Sequence, residues 1–231
     1  MRFRVLATDY DGTLATRGRV APDTIAALQR LSASGRKLLL VTGRELPDLQ
    51  HVFPEFGAFD YIVAENGALL FHPATNQETL LCEAPSAPLV ERLRSMHIPI
   101  SVGRAVIATT EPHNQAVLKA IHKLGLELQL TFNKGSVMVL PSGVNKATGL
   151  ARALAEIGEI ASATIGIGDA ENDHAFLAAC GCGVAVANAL PSLKSRAQVV
   201  TRSAHGAGVV DVIHELLADD FARCTGSGSA G

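Results

Sequence analysis

Five short apolar runs, "FRVLATD", "KLLLVTG", "YIVAENG", "ATIGIGD" and "GVAVAN", each stop on small or polar residues. A strand-length run without polar alternation is buried on both faces, and a strand meets that condition inside a parallel sheet sandwiched between helices. A chain of 231 residues, 48% of them apolar, can fill such a core as one large or two small domains.

The segments between the runs have helical signals. "APDTIAALQRLSASG" places Pro22 near a helix start, Ile25, Leu28 and Leu31 on one face, and Gly35 as a stop. "ELPDLQHVF" predicts a short helix, and "NKATGLARALAEIG", "ENDHAFLAAC" and "AGVVDVIHELLAD" continue the rhythm in the later half. The predicted class is α/β, a Rossmann-like doubly wound parallel sheet. The middle breaks the pattern: helix "SAPLVERLRSM", strand "AVIATT", helix "PHNQAVLKAIHKLG", then strands "LELQLTF" and "SVMVLP" joined through "NKG". This block predicts a small α+β domain inserted into the sheet protein, hinged at the Pro-, Ser- and Gly-containing stretches "CEAPSAP" and "LPSGVNK". The expected division is a discontinuous core over 1–83 and 144–220, an insertion over 84–143 and a flexible tail over 221–231. The low-complexity end "CTGSGSAG" reads as a tag remnant or a linker to a further domain.

A formal net charge of −2 gives no general attraction to polyanions, so neither nucleic acid nor an acidic membrane surface is expected as a partner. No apolar stretch approaches the ~20 residues that cross a membrane. Cys82, Cys180, Cys182 and Cys224 lack the spacing of a disulfide framework, and "MRFRVLATDYDG" lacks a signal peptide's apolar segment, which makes the cytoplasm the expected compartment. The C-x-C of Cys180 and Cys182 reads as two small buried fillers.

In an open parallel sheet, ligands bind beyond the carboxyl ends of the strands, and the polar motifs fall there. Asp9 and Asp11 follow the first run, Thr42, Gly43 and Arg44 the second, Glu65, Asn66 and Gly67 the third, and Asp169, Asn172 and Asp173 follow "ATIGIG". Each motif has an ordinary explanation alone: Asp-Gly and Asn-Gly are turn pairs, Arg44 and Lys146 could be solvated, and "GDAEND" could be an acidic helix start. Those explanations leave the convergence unaccounted for. Asp9, Asp11, Asp169 and Asp173 in one crevice repel one another unless cations compensate, and an all-oxygen ligand set without His or Cys favours Mg²⁺. The Thr42 hydroxyl, backbone amides near Gly43, the Asn66 amide and the Lys146 ammonium are donors suited to phosphate oxygens. Acids, magnesium and phosphate donors together point to phosphoryl transfer to or from a small phosphorylated metabolite.

The ordered set D-x-D-G-T, strand-ending T-G-R, late lysine and G-D-x-x-N-D resembles the haloacid dehalogenase superfamily, and an insertion between "VTGR" and Lys146 resembles its Cof-type branch with a type-2 cap. The resemblance runs to about residue 218, although a cap of about sixty residues is short for the branch. Its small-cap members include phosphoglycolate, sucrose-phosphate and mannosyl-phosphoglycerate phosphatases. The resemblance implies Asp9 as nucleophile and Asp11 as general acid and base. It also implies Mg²⁺ held by the Asp9 carboxylate, the Asp11 carbonyl and Asp169 with Asp173 in support, and the phosphoryl group held by Thr42 and Lys146 with Asn66 lining it.

A carboxylate nucleophile splits one difficult displacement into two easier ones, and a second carboxyl group can protonate the leaving alcohol and then deprotonate water. Thr13 is expected to brace the turn and the nucleophile. Arg104, His113 and Lys134 in the cap are the candidate contacts to the alcohol part of the substrate. A phosphomutase would use the same residues, and a non-catalytic phosphate-binding module would keep the fold. A receiver-type switch would place its acid after a later strand and would need no cap. The protein is expected to act as a monomer or homodimer.

Overall fold

The computed structural model describes residues 1–224. The chain runs β1 (Val5–Thr8), α1 (Pro22–Ala33), β2 (Lys37–Val41), α2 (Leu46–Val52), β3 (Tyr61–Ala64), β4 (Leu69–His72) and β5 (Gln77–Leu80). The insertion follows as α3 (Ala87–Ser95), β6 (Ser101–Val102), β7 (Ile107–Thr110), α4 (Asn114–Lys123), β8 (Leu128–Asn133) and β9 (Ser136–Pro141). The chain then returns through α5 (Lys146–Glu156), β10 (Thr164–Gly168), α6 (His174–Ala179), β11 (Cys182–Ala185), α7 (Pro191–Lys194), β12 (Val199–Val200) and α8 (His205–Asp219).

The large sheet has the order β12-β11-β10-β1-β2-β3-β4-β5. Pairing is parallel from β12 through β3, with Val5 opposite both Thr164 and Lys37. The chain builds outward from β1 in one direction and from β10 in the other, so the switch point of the sheet lies between these two strands. Crossovers from β1 to β2 and from β10 to β11 run in opposite directions, and right-handedness places α1 and α6 on opposite faces. α1 packs with α8 and α5 with α6, which covers both sides and explains why β1 and β10 are buried at every residue. The edge is less regular than the sequence suggests. β4 and β5 form an antiparallel hairpin from a stretch that carried no prediction.

The second sheet, β6-β7-β9-β8, is antiparallel. Its strands alternate: Ile107 and Val139 pack with Leu89, Leu93, Val117 and Ile121 of α3 and α4, while Ala108, Ser136 and Met138 face the other way, toward the large sheet's strand ends. A small apolar seam of Ala68, Ala105, Val106, Met138 and Leu140 joins the two sheets' territories.

Two expectations need correction. Cys182 is not a simple filler: it is disulfide-bonded to Cys224, 42 residues away, because α8 carries the chain back along the sheet. Cys180 is free, buried and packed against Gly166, as a filler would be. The tail expected from 221 also begins too early, since Phe221 is fully buried and Cys224 nearly so. Most of "CTGSGSAG", residues 225–231, lies outside the described residues. The Asp220 carboxylate accepts the Arg2 backbone N–H and the Arg36 guanidinium, and the Arg2 side chain donates to the Cys224 carbonyl at 2.7 Å, so the two ends of the described chain are tied together.

Candidate functional site

β1 and β10 end side by side, and the first residue after each is an aspartate. The Asp9 N–H donates to the Ile167 carbonyl at 2.9 Å, extending the ladder by one step and fixing Asp9 beside Asp169. α5 brings the counter-charge. Its capping box of Asn145 and Thr148 sets the helix start, so that Lys146, its first residue, reaches inward. The Lys146 Nζ lies 2.6 Å from both Asp9 Oδ1 and Asp173 Oδ1, and all three side chains are buried. Asp173 is further fixed by the backbone N–H groups of Asp169 and Ala170, which donate to its Oδ2 at 2.8 and 3.0 Å. Gly12 permits the closest approach: its φ is +82°, and a Cβ there would lie 2.2 Å from Asp169 Oδ2.

Burial pushes the Asp9 carboxyl up to about 8, with Asp173 and Asp169 pushing the same way and Lys146 pulling against them. Burial also raises Asp169. Lys146 is pulled down by its burial, but the facing charges of Asp173 and Asp9 outweigh this and keep it above the ordinary lysine value. Carboxylate oxygens of Asp9, Asp169 and Asp173 lie within 4.8 Å of one another, in a group rich enough in oxygen to hold a divalent cation.

Asp11 sits differently. It is partly exposed, and Arg44 grips both its oxygens at 2.6 and 2.8 Å while also pairing with Asp48. Its carboxylate therefore stands outside the three-acid group, which corrects the expectation of four mutually repelling acids: the Arg44 guanidinium draws Asp11 away from the other three. The sequence left Arg44 open between a solvated turn residue and part of the strand-end motif; Asp48 at i+4 on the following helix is a further signal that it is held in place.

Around the acids, the Thr42 carbonyl accepts the Asn66 N–H at 2.9 Å and the Thr42 hydroxyl accepts the Arg44 N–H at 3.1 Å. Asn172 Nδ2 donates to Asn66 Oδ1 at 3.0 Å, and Asn66 Nδ2, on a fully buried residue, has no hydrogen-bond partner among the described residues. Gly43 lies beneath the Met138 sulfur. Thr13 corrects its expected role: its hydroxyl donates to Asp169 Oδ1 at 3.2 Å rather than bracing Asp9, because the turn after Gly12 points it across to β10. Asn188 and His205, both missed by sequence reasoning, bond the Gly12 carbonyl from the far side at 2.8 and 2.9 Å.

A crevice of about 610 Å³ lies over Asp9, Asp11 and Arg44, roofed by Ala108, Lys134 and Met138 of the insertion. Of the three cap candidates, only Lys134 reaches it: the tip of the β8–β9 hairpin brings its ammonium onto Asp169, and its N–H donates to Glu171 at 3.2 Å. Arg104 turns away to pair with Glu78 of β5 at 3.1 Å, and His113 precedes α4 outside the crevice lining. The reason is position: Arg104 lies in the loop before β7 and His113 in the turn before α4, both outside the strand residues whose side chains face the acids.

A family model described as haloacid dehalogenase-like hydrolase matches residues 6–97 and 96–213. Phosphoglycolate phosphatase 2 of Saccharolobus solfataricus is 29% identical over 227 residues, covering 95% of this chain and 94% of that one. A phosphoglycolate phosphatase of Metallosphaera sedula is 30% identical, covering 93% and 99%. An HMP-PP phosphatase of Serratia proteamaculans is 27% identical, covering 84% and 87%. A crystal structure of a haloacid dehalogenase-like hydrolase from Bacteroides thetaiotaomicron superposes with a TM-score of 0.80 at 19% identity, covering 93% of this chain and 99% of that one, and so shares the fold. The family match runs through sheet and insertion alike, so the whole arrangement of acid-bearing floor and inserted roof is what the relatives share, and the chain belongs to the haloacid dehalogenase-like hydrolases.

Proposed function

We propose that the protein is a magnesium-dependent phosphatase that hydrolyses a small phosphomonoester, phosphoglycolate-like or a sugar phosphate, through an aspartyl-phosphate. The observation that carries the reading is the buried set of Asp9, Asp169 and Asp173 at the switch point of the sheet, with Lys146 buried between Asp9 and Asp173. The phosphoglycolate phosphatases among its relatives support the substrate class.

In this reading an Asp9 oxygen bonds to phosphorus as the bond from phosphorus to the substrate's alcohol oxygen breaks. Asp11, with one of its oxygens released from the Arg44 guanidinium and carrying a proton, gives that proton to the leaving oxygen. Water then attacks phosphorus and loses a proton to Asp11, the bond to Asp9 breaks, and inorganic phosphate leaves. Lys146, fixed between two carboxylates, offsets charge on the phosphoryl oxygens, and Thr42, Gly43 and the free Asn66 amide complete the cradle. Arg44 holds the Asp11 carboxylate away from Asp9 and thereby keeps nucleophile and acid distinct.

The donor set fits a hard cation: the three buried carboxylates face two ammonium groups, Lys146 between Asp9 and Asp173 and the half-exposed Lys134 on Asp169, and the remaining ligand atoms are all oxygen. Asp9, the Asp11 carbonyl and Asp169 would hold Mg²⁺, with Asp173 in support. When bound, Mg²⁺ supplies positive charge that stabilises the transferring phosphoryl group. The reading is tested by phosphate release from phosphoglycolate, sugar phosphates and a chromogenic aryl phosphate, with Mg²⁺ and with chelator. Release from one of these that stops on chelation is the expected outcome; release unaffected by chelation would remove magnesium from the reading.

A further inference from the structure

Glu65 has no part in the chemistry above, yet it is one of the most enclosed charged residues of the described chain, with no exposed surface. No lysine, arginine or histidine pairs with it among the described residues. Three successive backbone N–H groups of the inserted domain close on its carboxylate instead: Arg104 donates to Oε1 at 2.9 Å, and Ala105 and Val106 donate to Oε2 at 2.7 and 3.0 Å. The loop wraps so closely that a Cβ on Gly103 would lie 2.8 Å from the carboxyl carbon and both oxygens. Convergent backbone amides of this kind make an anion-binding nest, and here the anion is a side chain of the core.

The other side of Glu65 faces the site. Glu65 and Asn66 both take left-handed backbone conformations, with φ of 50° and 56°, which non-glycine residues adopt only when the surroundings hold them there. The Glu65 N–H donates to the Arg44 carbonyl and the Asn66 N–H to the Thr42 carbonyl, each at 2.9 Å. One strained turn thus carries the free amide of Asn66, ties down the Thr42–Arg44 loop and extends a carboxylate into the cap. The nest it enters leads directly into β7, whose Ala108, with Val106 just before it, lines the crevice.

We propose that Glu65 is a positioning residue, a latch whose carboxylate seats the inserted domain's inner face at a fixed height over Asp9 and Asp11. The proposal rests on the phosphatase reading for its kinetic consequence but not for its structural one. In the full-length protein, Glu65→Ala removes the acceptor and Glu65→Gln keeps one acceptor oxygen while turning an amide NH₂ toward N–H donors. Gly103→Ala attacks the same contact from the cap side.

The expected result has two parts. Amide exchange at 104–106 speeds up by at least about tenfold in each variant, while amides of β1 and β10 keep their protection. The kcat/KM for phosphoglycolate falls by about the same factor, through KM more than kcat, while a chromogenic aryl phosphate too bulky to use the cap's inner face loses less, and Glu65→Gln falls between wild type and Glu65→Ala. Unchanged exchange at 104–106 in the Gln and Ala variants would overturn the latch. Equal losses with both substrates, together with faster exchange throughout the core, would also overturn it by assigning Glu65 a general structural role. Should the wild type release no phosphate from any substrate, the phosphatase reading fails and the exchange result alone decides the latch.

Discussion

The floor and the roof of the crevice are built on different principles. The floor consists of strand ends, and its charged groups are buried and cross-braced: Asp173 accepts three donors, and Lys146 is shared between two acids. The roof is a single face of a four-stranded sheet carrying a mixture of apolar and polar side chains, Ala108, Ser136 and Met138 among them, with Lys134 half in solvent on a hairpin tip. A floor so constrained tolerates little change and suits chemistry common to many phosphate esters. A roof of replaceable side chains on a stable framework suits selection among them.

The sharpest way to break this contrast is Asp9→Asn. It is expected to lower turnover by about a thousandfold or more, with the circular dichroism and unfolding midpoint of a folded protein. Activity near wild type would remove Asp9 as nucleophile. Asp11→Asn is expected to cost about a hundredfold or more, visible in both formation and breakdown of the phosphorylated enzyme by rapid quench. Because Arg44 grips Asp11 from outside the three-acid group, this variant should leave stability little changed.

Lys146→Met tests the floor as structure. It strands two buried carboxylates, and the expected loss is about 3–5 kcal/mol in urea unfolding; a loss below about 1 kcal/mol would mean that the floor is not held as described. Roof changes should be milder. Lys134→Ala is expected to raise KM for phosphoglycolate severalfold while kcat stays within about twofold, since a half-exposed ammonium contributes little fixed energy. A larger kcat effect than that of Asp11→Asn would place the roof in the chemistry and erase the distinction.

The smallest effect is expected away from both. Burial alone would raise the Asp220 carboxyl, but the Arg2 N–H and the Arg36 guanidinium hold it below its usual value. A lowered folded-state value contributes stability above the ordinary carboxylate range and loses it as pH falls through the lowered one. Asp220→Asn should therefore be less stable than wild type at pH 7 by up to about 1 kcal/mol, and the gap should close on acidification. A gap that widened in acid would reverse the sign.

Much of the floor was legible because fully buried parallel strands write themselves as unbroken apolar runs and the acids of the crevice follow at once. Asp9 and Asp169 needed only the rule that such sheets present their ligands at strand ends, whereas Lys146, the first residue of α5, was placed by its donor chemistry and by the family resemblance. The β4–β5 hairpin escaped because β5, at Gln77–Leu80, is largely exposed at an edge and has no continuous apolar signal. β6 and β12 have two residues each and are too short for any periodicity. Glu65 escaped for another reason: its partners are main-chain amides about forty residues later, and backbone donors leave no trace in side-chain pattern. Arg104 and His113 were misjudged because charge can be read in a sequence but the direction in which a loop or turn presents it cannot. The Cys182–Cys224 bond likewise depends on where α8 delivers the chain.

The meeting of Arg2, Phe3 and Arg36 with Asp220 and Cys224 lies at the start of β1, the end opposite Asp9. About six residues of extended chain, roughly 20 Å, separate that junction from the Asp9 carboxylate. Topologically the described chain is close to a ring, and the order in which its parts are read is incidental to the crevice they enclose. A permuted chain, joined from residue 224 to residue 2 and reopened at the exposed Thr75–Asn76 turn of the edge hairpin, should assemble the same floor and roof from a rearranged sequence.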